Sequence, residues 1–240
     1  MKKPVIIITH ERAGTHLVIN LINHEKFGDF HTIGYIENPK KHTTKDYIHT
    51  TYRDIMSNAY IENSVSKSHH QVEFMNEYLD YLFSRYSVIY VKRNILDVLN
   101  SYYKFIPKPD EKNFPKIDEW VFSKPDDIGR KFLQPYAPDP HIITEPKNYI
   151  DRYMIHMNGW MKYKNNMLVL CYENIINDYK NQKHIIEEYI SKRISDDIPS
   201  VYDKRFPNFG PVKGVIGGHK EVMNENLLNK IDDYIKSNYS

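Results

Sequence analysis

Val5-Ile6-Ile7-Ile8-Thr9-His10-Glu11-Arg12-Ala13-Gly14-Thr15-His16-Leu17-Val18 joins a β-branched apolar run to an apolar pattern that resumes at helical spacing. A short run without polar alternation suits a strand covered on both faces of a parallel sheet. The six mostly polar residues between the two patterns then form a strand-to-helix loop. Loops of this kind lie at the carboxyl edge of an α/β sheet, where helix N-termini present N–H groups and a positive partial charge. Gly14 lets the backbone approach an anion, Thr15 offers a hydroxyl in the first turn, and Arg12 offers a permanent cation. An ordinary turn relieved by Gly14 explains the same residues, so this stretch alone leaves both readings open.

Two further runs resemble the first, Ser87 to Lys92 and Met167 to Tyr172, and a weaker one covers Ser64 to Ser68. Each precedes a helical pattern: Leu17, Val18, Leu21 and Ile22; Phe74, Met75, Tyr78, Leu79 and Leu82; Leu96 to Phe105; and Ile185, Ile186, Tyr189 and Ile190. Alternation of strand and helix predicts an α/β fold with a mainly parallel central sheet flanked by helices and right-handed crossovers. Between Ile106 and Tyr149 the pattern fails, and eight of the thirteen prolines fall there. Asp196 to His219 is also irregular, before a closing helix marked by Leu227, Leu228, Ile231 and Ile235. At 240 residues the chain suits one domain, residues 1–240, with an irregular insertion at about 107–150 and a loop at about 196–220.

Composition narrows the function. The 33 basic and 31 acidic residues leave a formal charge of +2, so anion binding must come from local clustering, and a general nucleic-acid binder is disfavoured. Cys171 is the single cysteine, which excludes an internal disulfide and a Cys-rich zinc site and fits a reducing, cytoplasmic setting. The first apolar run is too short for a signal-peptide core or a membrane span. Neither G-x-x-x-x-G-K-[ST] nor G-x-G-x-x-G is present, which disfavours a standard NTPase or a dinucleotide-dependent dehydrogenase.

Val88-Ile89-Tyr90-Val91-Lys92-Arg93-Asn94-Ile95-Leu96-Asp97 repeats the opening arrangement, with Asn94 and Asp97 spaced as a capping box that sets Arg93 beside a helix N-terminus. Alone, Arg93 reads as a surface partner of Asp97, and Ser101 as a helix surface position. With the opening loop, they resemble the sulfotransferases that use 3'-phosphoadenosine 5'-phosphosulfate (PAPS). That family's P-[KR]-S-G-T-T-W loop is similar to Glu11-Arg12-Ala13-Gly14-Thr15-His16-Leu17. Its R-N-P-x-D-x-x-x-S-Y-Y-x-F element is similar to Arg93-Asn94-Ile95-Leu96-Asp97 through Ser101-Tyr102-Tyr103-Lys104-Phe105, with the spacing intact. The family's K-[TS]-H resembles Lys67-Ser68-His69, its later Tyr-Glu resembles Tyr172-Glu173, and its closing R-K-G-x-x-G-[DN]-W-K loop resembles Val212 to Lys220.

The resemblance implies PAPS as donor, bound by Arg12, Ala13, Gly14, Thr15, His16, Arg93, Ser101, Tyr172, Lys213 and Gly214. It implies His69 as the base for the acceptor proton, with Arg12 and Lys67 meeting charge on the leaving oxygen. His70 is the neighbouring alternative to His69. Imidazole titrates near neutrality, and general-base catalysis is worth about 10²–10⁴ in rate. A sulfuryl group carries less charge than a phosphoryl group, so no metal is expected. The acceptor is a hydroxyl-bearing small molecule, glycan or lipid headgroup, with no nucleic acid and no membrane span. Three departures stand out: Leu17 replaces an adenine-stacking aromatic, Val212 replaces a 3'-phosphate cation, and Glu11 puts a carboxylate in the loop. The competing readings are a small-molecule or nucleoside kinase and a non-catalytic nucleotide-binding relic of the same fold.

Overall fold

The computed structural model describes residues 3–23, 30–33, 44–106, 112–125, 143–198 and 215–239. Its sheet contains five parallel strands: β1 (Val5–Thr9), β2 (His31–Thr32), β3 (Val65–Ser68), β4 (Ser87–Lys92) and β5 (Leu168–Cys171), in the order β2-β3-β1-β4-β5. Three of the four expected runs match their strands closely. Tyr172, expected in the last strand, instead begins a helix.

Every residue of β1 is buried, which explains its lack of alternation. Val5 and Ile7 face one apolar layer with Val65, Ile89, Val91 and Leu170. Ile6 and Ile8 face a second layer with Val88, Tyr90, Phe74 and Trp160. A period of two persists in the side-chain directions, but both faces are covered, so no polar residue marks it.

Helices α1 (Thr15–Ile22), α2 (Thr44–Asn58), α3 (Leu79–Arg85), α4 (Ile95–Phe105), α5 (Ile117–Phe122), α6 (Tyr149–Met161), α7 (Tyr172–Asn177), α8 (Tyr179–Ile190) and α9 (Glu225–Tyr239) surround the sheet. The pattern Phe74 to Leu82, expected as one helix, is a 3₁₀ stretch (Val72–Tyr78) followed by α3. The stretch read as irregular between 107 and 150 contains α5, whose Trp120 is buried and stacks on Tyr149 with ring centroids 3.9 Å apart. A helix of six residues shows too few turns for a period of 3.6 to be read.

The order places β1 between β3 and β4. The chain leaves β1 toward β2 and β3 on one side and later returns to β4 and β5 on the other. That reversal opens a crevice at the carboxyl ends of β3, β1 and β4, the usual ligand position in such sheets. Residues 9–14, 68–71 and 92–94 lie at those strand ends. No helix among the described residues is long and apolar enough to cross a membrane.

Candidate active site

The loop after β1 is built around a positive-φ pair. Gly14 has φ 111° and precedes α1, while Arg12 has φ 66°, a left-handed conformation uncommon for a residue with a side chain. A Cβ on Gly14 would lie 2.5 Å from Cδ2 of Tyr172, so only glycine fits between the loop and that ring. Ala13 is buried against Val98 and Leu99, and its N–H donates to the His10 carbonyl at 3.2 Å, closing the turn. Beyond it, α1 begins with Thr15 and His16, whose N–H groups lie at the helix end that lacks intrahelical acceptors.

Arg93 follows β4 and is fastened at almost every atom. The Tyr153 hydroxyl donates to its carbonyl and lies 3.4 Å from its N–H. Its guanidinium donates to the Arg12 carbonyl at 3.1 Å and the Val215 carbonyl at 3.2 Å, and Cζ lies 4.4 Å over the Tyr172 ring. Arg93 is 8% exposed, and its buried Nε has no hydrogen-bond partner among the described residues. A buried N–H donor without an acceptor is costly, so this nitrogen marks a position suited to an anionic oxygen.

Arg12 reaches the same place from the other loop. Its Nε donates to the Ser101 hydroxyl at 3.1 Å, and Cζ lies 4.5 Å over the Phe105 ring. Burial, then the nearby charge of Arg93, pulls its pKa down to about 10. Two guanidiniums held close in a partly buried site repel one another, and an anion between them relieves that repulsion. Arg12, Arg93 and Ser101 are therefore brought together.

On the far side of β1, His69 is fixed by the strand it faces. Its Nδ1 lies 2.9 Å from the Thr9 carbonyl and 3.2 Å from the Thr9 hydroxyl. A carbonyl only accepts, so Nδ1 carries the proton and Nε2 is the basic nitrogen. The Thr9 hydroxyl also bonds that of Thr15, linking this histidine to the start of α1. Lys67 is half-buried, with Nζ 4.9 Å over the Phe30 ring; His16 packs edge-on against the same ring at 5.6 Å. His70 is fully buried, between Ser68 Oγ at 2.9 Å and Thr51 Oγ1 at 3.3 Å.

One expectation changes in detail. Asp97 does not complete a capping box: Asn94 accepts from the Leu96 N–H, but its own N–H donates to Glu173, and Asp97 turns to the Gly217 and His219 N–H groups. Glu11 faces away from the two arginines and pairs with Arg152 at 2.7 Å, both largely buried. Leu17, at the position of an expected base-stacking residue, is wholly inside the core. Tyr172 is buried between Arg93 and Gly14, so its ring supports both strand-end loops. Lys213, Gly214 and Val212 lie outside the described residues.

Sequence reasoning missed Tyr153, Arg152 and His156, which lie on one stretch of α6 whose amphipathic pattern reads as core, and it gave no role to His219 within the Val212 to Lys220 match. Burial and the charge of His10 hold His156 well below the usual histidine range, and its Nδ1 lies 3.1 Å from the Tyr90 hydroxyl. Burial pushes the Tyr153 phenol up to about 12, so it remains a donor. Among the described residues, no group of three or more His, Cys, Asp or Glu could hold a metal ion.

Two arginines and a helix N-terminus gather at the ends of β1 and β4, with an oriented histidine at the end of β3, an arrangement of the kind that receives an anion. The sulfotransferase domain model matches residues 2–207, and the chain belongs to that family. Its fold is similar to that of mouse sulfotransferase SULT7A1, crystallised with PAP, at 13% identity and a TM-score of 0.61 over 99% of this chain and 84% of that one. It is also similar to retinol dehydratase, crystallised with androsterone and the inactive cofactor PAP, at 15% identity and a TM-score of 0.61 over 98% and 80%. No curated protein matches significantly by sequence.

Proposed function

We propose that the protein transfers a sulfuryl group from PAPS to a hydroxyl of a small molecule, glycan or lipid headgroup. The observation that carries this reading is the unpartnered Arg93 Nε, buried beside the Arg12–Ser101 pair and across β1 from His69. Two repelling cations there await an anion, which is what a nucleotide bisphosphate supplies.

In this reading Arg93 and Ser101 hold the 3'-phosphate. The N–H groups of Gly14, Thr15 and His16 receive the 5'-phosphosulfate, with the Ala13 turn shaping the loop. Lys213 and Gly214 add a cation and a close backbone approach, and Tyr172 backs the loops from beneath. His69 Nε2 takes the proton from the acceptor hydroxyl as its oxygen bonds to sulfur. The bond between sulfur and the 5'-phosphate oxygen breaks, and 3',5'-ADP leaves with that electron pair. Arg12, at the seam between the two phosphate positions, and Lys67 meet the charge that grows on the leaving oxygen. The lone Cys171 thiol, half-buried against Glu173, fits a cytoplasmic setting, and residues 1–240 act as one unit.

The test is thermal stability with 3',5'-ADP and with ATP plus magnesium, followed by release of 3',5'-ADP from PAPS over an acceptor panel. At about 100 times its dissociation constant, 3',5'-ADP stabilises the fold by roughly 2.7 kcal/mol. A larger effect of ATP supports phosphotransfer instead. Binding of 3',5'-ADP without turnover on any acceptor supports a relic.

A further inference from the structure

Asp97 is an acidic residue placed one turn into α4, beside a site that gathers cations. It is 2% exposed and accepts three hydrogen bonds, all from a segment more than a hundred residues away: Gly217 N–H at 2.8 Å, His219 N–H at 3.2 Å and His219 Nδ1 at 2.7 Å. Those bonds hold its pKa below the usual carboxylate value against the opposing effect of burial. Gly217 has φ 79°, which turns two successive stretches of backbone toward one carboxylate. Next to it, a Cβ on Gly218 would lie 3.5 Å from Nδ2 of Asn100, whose buried Oδ1 has no partner among the described residues. Two residues before Gly217, the Val215 carbonyl accepts from Arg93 Nη2.

These contacts form one chain of causes. Asp97 fixes Gly217 and His219 on α4, that anchor fixes the Val215 carbonyl, and Val215 fixes one arm of the Arg93 guanidinium. The other arm is fixed by the Arg12 carbonyl. With both arms held, Nε has one direction left.

We propose that Asp97 and His219 form a clasp that aims Arg93, making Asp97 a positioning residue for recognition of the ligand's second phosphate. The inference rests on the nucleotide reading above and adds a requirement to it: selectivity for a 3'-phosphorylated nucleotide depends on two residues that do not touch the nucleotide. Opening the clasp frees residues 215–221 and releases one arm of Arg93, while the loop that takes the 5' group keeps its own turn, closed by the Ala13 N–H on the His10 carbonyl.

The experiment compares the affinities of 3',5'-ADP and 5'-AMP in wild type, Asp97→Asn, His219→Ala and His219→Asn, with trypsin cleavage after the exposed Lys220 as a second readout. Asp97→Asn sets an amide N–H₂ against donors, and His219→Ala removes one donor. His219→Asn keeps a donor near the position of Nδ1. The expected result is that Asp97→Asn and His219→Ala each reduce the preference for 3',5'-ADP over 5'-AMP by about tenfold and speed cleavage after Lys220. His219→Asn restores most of the preference. A merely structural role lowers both affinities together and leaves their ratio alone. Should Asp97→Asn fail to fold, the two His219 variants decide the matter. A wild type that prefers 3',5'-ADP, with the preference kept in His219→Ala, overturns the clasp and leaves the nucleotide reading standing. A wild type with no preference overturns both.

Discussion

The two strand ends that flank β1 are built to different standards. At the end of β4, Arg93 is held through its N–H, its carbonyl, both guanidinium arms and the face of Tyr172. At the end of β3, the half-buried His69 is held through Nδ1 by Thr9. The difference follows from the work proposed for each. A charge that stabilises an anion works best when it need not reorganise, so it is tied down from every side. A base must offer one ring nitrogen to an acceptor, so Thr9 orients it through the other.

Four measurements break or sharpen this contrast. The largest effect is expected for His69→Asn: kcat with PAPS falls about 10²–10⁴-fold, while 3',5'-ADP affinity stays near wild type. Turnover close to wild type removes the histidine from the mechanism. Next comes Glu11→Gln, which removes the charge that pairs at 2.7 Å with the Arg152 guanidinium, 7% exposed. Losing one partner of a buried pair costs about 3 kcal/mol, read as a lower denaturation midpoint at unchanged m-value. An unchanged midpoint shows that the pair contributes nothing to holding the loop.

Arg93→Ala is expected to weaken 3',5'-ADP about ten- to a hundredfold by calorimetry, with 5'-AMP far less affected. Equal weakening of both nucleotides refutes the 3'-phosphate assignment. The smallest effect at neutral pH concerns Arg12. Its pKa is lowered to about 10 by burial and by Arg93, so it is fully charged at pH 7. Anion binding favours the charged form and raises that pKa. Affinity for 3',5'-ADP is therefore flat from about pH 7 to 9 and falls above about pH 10, with proton uptake on binding there. A decline that begins near pH 8 points to another group.

The contrast also changes how the histidine pair reads. His69 and His70 are equivalent in the sequence apart from one position in Lys67-Ser68-His69. In the fold His70 is wholly buried and bonded to Ser68 and Thr51, so it belongs to the scaffold of β3 and α2. His70→Asn is accordingly a test of stability, with a loss of about 1–2 kcal/mol and little change in kcat.

Much of the donor side was legible because its parts are local: a strand, a short loop and a helix start within about fifteen residues, twice. Spacing along the chain then equals spacing in space. The pattern Val5 to Thr9 and Ser87 to Lys92 marked both strands to the residue. Other parts of the fold were not legible, since β2 has two residues and α5 has six, too few for any period to emerge. Helix α6 was missed as a source of site residues, because Arg152, Tyr153 and His156 look like one turn of an ordinary amphipathic helix.

By itself the sequence determined the α/β alternation and the two strand-end loops that carry Arg12 and Arg93. It determined these because backbone geometry turns fixed spacings into fixed faces. Only the tertiary structure decided what each charge meets. Glu11 was a carboxylate in an anion loop until α6 brought Arg152 to it from 141 residues away. Asp97 was half of a capping box until Gly217 and His219 arrived from 120 and 122 residues away and took its oxygens. Such partners cannot be read from spacing, because hydrogen bonds and ion pairs depend on distance in space, and packing of the core sets that distance after the local elements have formed.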